Sequence, residues 1–173
     1  MTRTDIVHDR AEALAAELDQ EARTTRRVLE RVPESKLSWR PHPKSWSLGQ
    51  LALHVANVPG GIARALSNDS FEPTGGQQEE ATSSSQLLTA HDTGIAAARE
   101  FVSELSPERA DAVWRLMRGG REIMARPRIE MIRGLMLNHW YHHRGQLSVY
   151  LRLLDVPVPS VYGPTADENP FSG

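Results

Sequence analysis

Four long stretches with apolar residues at helical spacing, separated by loops rich in proline, glycine or small polar residues, predict an all-α four-helix bundle. Two further observations point the same way. Ser-x-x-Gln pairs able to cap helices stand at the start of the second and third stretches. The last stretch carries one continuous apolar face, as a bundle helix requires.

The first helix is expected over residues 5–31, with Ile6, Leu14, Leu18, Thr25, Val28 and Val32 on its inward stripe. Pro33 ends it, and Pro41 and Pro43 keep the following segment a loop. Trp39 and Trp46, in and beside that loop, are expected to cover one end of the core. Ser47-Leu48-Gly49-Gln50 reads as a capping box that opens the second helix, whose inward stripe is Leu48, Leu51, Val55 and Val58, with His54 among them. Pro59-Gly60-Gly61 should kink or break that helix before it resumes through Ile62–Leu66. Residues 68–85 turn to Gly, Gln, Glu, Ser and Thr and read as a connecting loop.

Ser83-Ser84-Ser85-Gln86 offers a second capping box, and Leu87, Ile95, Ala98, Phe101, Val102 and Leu105 mark the third helix. Ser106-Pro107-Glu108 signals a short helical turn. Between Val113 and Met124, Arg118-Gly119-Gly120-Arg121 separates two short apolar runs, which predicts a small β-hairpin before the last helix. The fourth helix is expected over residues 128–154 with a face that includes Met136, His139, His143, Leu147, Leu151 and Leu154. The Pro- and Gly-rich tail beyond it should pack back through Val156, Val158, Val161, Tyr162 and Phe171.

Composition narrows the function classes. With 173 residues, 39% hydrophobic and 24% charged, the chain suits one globular domain spanning residues 1–173. A formal charge of −2 gives no basic face for nucleic acid. The absence of cysteine removes disulfides, thiolate ligands and a cysteine nucleophile, and suits a reducing compartment. The charged N-terminus lacks the apolar core of a signal peptide, and no run reaches the roughly 18 apolar residues that span a bilayer. A cytoplasmic protein without membrane or nucleic-acid partners is therefore expected.

The chemistry sits on histidines. His139-Trp140-Tyr141-His142-His143 places His139 and His143 on one helix face, and His54 stands on the inward stripe of another helix. One histidine on an apolar face is usually an ordinary core residue. Three inward imidazoles without partners would cost too much to bury, so the trio reads as a metal site with open coordination positions. Imidazole nitrogens suit several divalent metals; availability places zinc first, with nickel or iron as alternatives. His142 points about 100° away from His143 around the helix. His42 could cap the site from its loop, and His8 and His91 read as surface or ordinary packing. Trp140 replaces the Glu of a metalloprotease His-Glu-x-x-His motif, and no Glu stands three residues before any histidine, as a di-iron bundle would require.

The run His139-Trp-Tyr-His-His143-Arg144-Gly145-Gln146-Leu147, followed by Leu151-Arg-Leu-Leu-Asp-Val-Pro157, resembles the DinB-like (YfiT-type) metalloenzyme family. Trp46-Ser-Leu-Gly-Gln-Leu-Ala-Leu-His54 is similar to that family's first histidine motif. The resemblance implies up-down-down-up connectivity, a divalent metal on His54, His139 and His143, and a homodimer. It also implies kinship with transferases that use mycothiol, bacillithiol or glutathione as a low-molecular-weight thiol cosubstrate. Gln146 and Asn57 have the phase to orient the ligands from behind. Arg144 could pair with an acidic residue at the bundle surface, and Gly145 could admit a close neighbouring helix. The leading expectation is a metal-dependent thiol transferase acting on a small molecule. A hydrolase using metal-activated water and a non-catalytic, stress-related binding protein are the alternatives.

Overall fold

The computed structural model describes the backbone of residues 3–171 and the side chains of residues 10–171. Ile6 and His8 lie outside the described side chains.

Four long helical pieces are present: α1 (Arg3–Leu29), α2 (Leu48–Leu66), α3 (Ser84–Ser103) and a last helix in three parts. That last helix runs from α5 (Arg128–Met131) through a π-helical segment (Ile132–Asn138) into α6 (His139–Leu153), with short α4 (Pro107–Asp111) lying between α3 and the hairpin. Contacts along the helices give their directions. Asp19 meets Arg99 and Arg26 meets Asp92, so α1 and α3 are antiparallel. Ala81 bonds to Gly49, and Gly60 touches Gly94, so α2 and α3 run the same way. Glu17 meets Arg133 and Glu21 meets Arg144, which aligns α1 with the last helix. The bundle is up-down-down-up.

Ser47 caps α2 as a complete box. Its hydroxyl accepts from the Gln50 N–H at 3.1 Å, and the Ser47 N–H donates to Gln50 Oε1 at 2.9 Å. Ser83 caps α3 by accepting from the Gln86 N–H, but Gln86 Oε1 turns to the Thr82 N–H, one residue before the cap. The second box is thus half formed.

Of the kink or break expected at Pro59, the break is absent: α2 runs through it continuously from Leu48 to Leu66. A proline in mid-helix strands the carbonyl four residues earlier. Here that carbonyl, of Val55, accepts from the buried indole Nε1–H of Trp140 at 2.8 Å. The following Gly60 lies on Gly94 of α3, where a Cβ would come within 2.6 Å of the Gly94 Cα. The Pro-Gly pair therefore serves helix packing.

The hairpin forms as β2 (Val113–Arg118) and β3 (Arg121–Pro127), turning on Gly119 and Gly120 with positive φ. A two-residue strand, β1 (Ser70–Phe71), adds in parallel to β2 from within the expected loop. Buried Arg128 anchors this end of the bundle by donating to the carbonyls of Leu66, Asn68 and Arg109 and to the Asp69 carboxylate. In the tail Val158 is buried, whereas Tyr162 and Phe171 are exposed, so Phe171 does not pack back as expected. No described helix is long and apolar enough to cross a membrane.

Candidate metal centre

The helix that carries two of the three histidines departs from the simple stripe read in the sequence. Its buried residues in α6 are Trp140, Arg144, Leu147 and Leu151. His139 and His143 stand beside that stripe, half-buried, and so does His54 beside the buried Leu51, Val55 and Val58 of α2. The histidines line a groove between α2 and α6 instead of replacing core leucines. This relieves the cost of burying polar rings while leaving their nitrogens accessible. The π-helical turn immediately before His139 adds a residue per turn and so resets the phase at which α6 presents its side chains.

Each of the three rings offers one nitrogen, and these atoms all lie within 4.8 Å of one another. His54 Nε2 and His139 Nε2 are 2.9 Å apart. Tetrahedral coordination at ordinary zinc–nitrogen lengths needs nitrogens about 3.3 Å apart, within reach of small ring rotations. The donor set thus fits one divalent ion.

Two glutamines face the outer sides of these rings. His143 Nδ1 lies 2.8 Å from Gln146 Oε1, which can only accept, so Nδ1 carries the proton and Nε2 keeps its lone pair for a ligand. Gln146 thus occupies the orienting position the sequence suggested. Gln78 was not anticipated. Its backbone carbonyl accepts from Gln50 Nε2 at 2.9 Å, and its side chain acts on the His54 imidazole, weakly opposing the lowering of that ring's pKa. As a polar residue of the connecting loop, outside the histidine motifs, it carries no signal of this in the sequence.

Trp46, expected as a core plug, is 38% exposed and forms a wall of the site. Its ring stacks on His143 with centroids 5.7 Å apart and meets His54 edge-on at 5.0 Å. Behind it Tyr150 packs edge-on against Trp39.

Electrostatics keeps the trio neutral. Burial and the neighbouring His143 and His139 push the His54 imidazole down to about 4. Burial likewise lowers His139 and His143, with adjacent imidazoles adding to the effect. Neutral rings carry the lone pairs that a cation needs.

Other candidates fall away from the site. Asn57 is exposed and lines a cleft toward α3. His142 is exposed, and His42 Nδ1 accepts from the Lys44 N–H within its own loop. His91 is buried against Trp140, with Nδ1 on Asp92. Arg144 does pair with an acid, but inside the bundle: Glu21 lies 2.6 Å away, and Thr25 and the Tyr162 hydroxyl complete its contacts. Gly145 faces open space, so no helix approaches closely there.

Comparison with known proteins agrees with this architecture. The DinB family model matches residues 5–170. YrdA of Bacillus subtilis strain 168, an uncharacterised protein, is 26% identical over 157 residues, covering 86% of this chain and 85% of its own. The crystal structure of a DinB-like protein from Bacillus cereus ATCC 10987 superposes with a TM-score of 0.69 at 24% identity, covering 87% of this chain and 97% of that one. The DinB-like protein YjoA of Bacillus subtilis gives 0.65 at 18% identity, with 91% and 99% covered.

Proposed function

Since the chain belongs to the DinB family, we propose that His54, His139 and His143 hold one divalent metal ion, zinc first, at the centre of a metal-dependent enzyme whose cosubstrate is a low-molecular-weight thiol. The observation that carries this reading is the convergence of three neutral ring nitrogens within 4.8 Å in an open groove. Three protein ligands leave coordination positions free, the pattern of a reactive and not a structural site. When bound, such an ion lowers the pKa of a coordinated thiol or water and makes a nucleophile available near neutral pH.

The chain's own residues prepare the site. Gln146 fixes the His143 tautomer. Trp46 shields one side of the rings from water. Among the described residues no carboxylate hydrogen-bonds to the three imidazoles, so the ion's charge is not offset by the protein. That favours an anionic partner such as a thiolate. The lack of any cysteine in the chain requires the thiol to arrive as a cosubstrate.

Elemental analysis of untagged protein tests the first part: about one metal per chain is expected, lost in His54→Ala, His139→Ala and His143→Ala alike. Metal retained at full stoichiometry in any one variant removes that residue from the site. A screen of electrophiles with and without added thiol tests the second part. Turnover that needs no thiol would replace the transferase reading with hydrolysis.

A further inference from the structure

Beside the histidine groove lies a second hollow that the metal reading does not use. It is a cleft of about 400 Å³ between α2 and α3. Gly94, which packs against Gly60, is among its lining residues. From α2 the cleft receives Asn57 and Arg64, and from α3 Ser85, Gln86, Thr89 and Thr93. His54, Asn57, Gly61 and Arg64 follow one another at helical spacing, so the near end of the cleft starts one turn from a candidate ligand. Gly61, between Asn57 and Arg64, has no side chain to divide the space.

The lining is unusual for a gap between two packed helices. It contains hydroxyls, amides and one guanidinium, with no aspartate or glutamate. The Arg64 guanidinium makes no hydrogen bond or ion pair among the described residues. It also borders the next hollow along the groove, where Glu100 and Glu104 lie, but neither carboxylate pairs with it. At the first turn of α3 the Ser84 N–H donates to the Glu34 carboxylate, so Arg64 is the charged side chain that lines the cleft itself. An unpaired fork of donors in a cleft lined by hydroxyls matches a carboxylate on a hydroxyl-bearing molecule.

The geometry points to this α2–α3 cleft as the binding site for a hydroxylated organic anion, with its acidic group on Arg64 and its hydroxyls on Asn57, Thr89 and Thr93. A ligand seated there would direct its other end toward His54. The catalytic relevance of the cleft rests on the metal site proposed above, but its ability to bind does not.

The test is a chemical-shift titration of metal-free protein with D-glucuronate and, in parallel, with uncharged D-glucose. Glucuronate is expected to move the resonances of Asn57, Arg64, Ser85 and Thr89 with a Kd on the order of millimolar. Glucose should bind at least about tenfold more weakly, and Arg64→Gln should weaken glucuronate by a similar factor without lowering the melting temperature. Thr89→Val should weaken both sugars. His54→Ala should leave glucuronate binding intact, which separates this cleft from the histidines whatever the metal content proves to be. The inference is overturned by equal responses to the two sugars, by undiminished binding in Arg64→Gln, or by shifts confined to the histidine groove or abolished in His54→Ala.

Discussion

At the scale of single residues, the side chains that touch the three candidate ligands can be told from those that hold the fold. Gln146 touches only the outer nitrogen of His143, so Gln146→Ala should leave the fold intact and weaken metal binding about tenfold to a hundredfold. Competition against a chromophoric chelator would measure this; unchanged affinity would deny Gln146 its orienting role. Arg144 gives the opposite case. It is 2% exposed and paired with Glu21, itself nearly buried, and neither touches the histidines. Arg144→Met leaves a carboxylate stranded in the core and should cost about 3–5 kcal/mol in urea unfolding. The position next to the candidate ligand His143 in sequence is thus structural, while the one three residues on contacts its ring.

Helices and their contacts explain why α2 tolerates Pro59. The indole of Trp140 takes the Val55 carbonyl that proline leaves free. Trp140→Phe keeps the ring but removes the donor, and should destabilise by about 1–3 kcal/mol, the cost of an unmet buried acceptor. The Gly60–Gly94 contact is asymmetric. A Cβ on Gly60 would strike the Gly94 Cα at 2.6 Å, whereas one on Gly94 meets its nearest atom, the Ala56 carbonyl, at 3.3 Å. Gly60→Ala should therefore cost about 1–3 kcal/mol and Gly94→Ala less. Equal losses in thermal unfolding would contradict that reading. The same elements were unevenly legible beforehand. Capping residues, prolines and the Gly119-Gly120 turn are local signals, and the helices and hairpin they announce are present. The two-residue β1 and the π-helical segment before His139 depend on partners far along the chain, and they leave no periodicity to read.

For the whole molecule, protonation and folding are linked. His54 titrates near 4 when folded, and burial also lowers His91, His139 and His143. Their unfolded forms bind protons first as the pH falls through the ordinary histidine value of 6.5. Stability should therefore be complete above that value and decline as the pH drops toward about 4. Denaturant midpoints measured across this interval would show the slope, and replacing His54, His139 and His143 together should flatten it. Metal loading should act in the opposite direction. An ion at a hundred times its Kd adds about 2.7 kcal/mol to folding stability, visible as a higher melting temperature that the histidine variants do not share.

The helical class, the hairpin and the three histidines as a candidate group could be read along the chain, because apolar periodicity, capping residues and i, i+4 spacing are properties of neighbouring residues. The sequence also pointed to Gln146, one turn beyond His143. The depth of the imidazoles is set by how the helices pack. Their half-burial follows from the packing of α6 on α2, in which Trp140 and Arg144 take the inward positions that local spacing assigns to His139 and His143. The tertiary structure also decided that Trp46 faces the rings, that Gln78 reaches His54, and that Asn57 belongs to a neighbouring cleft. These placements depend on which surfaces meet when the helices associate, and no single helix carries that information.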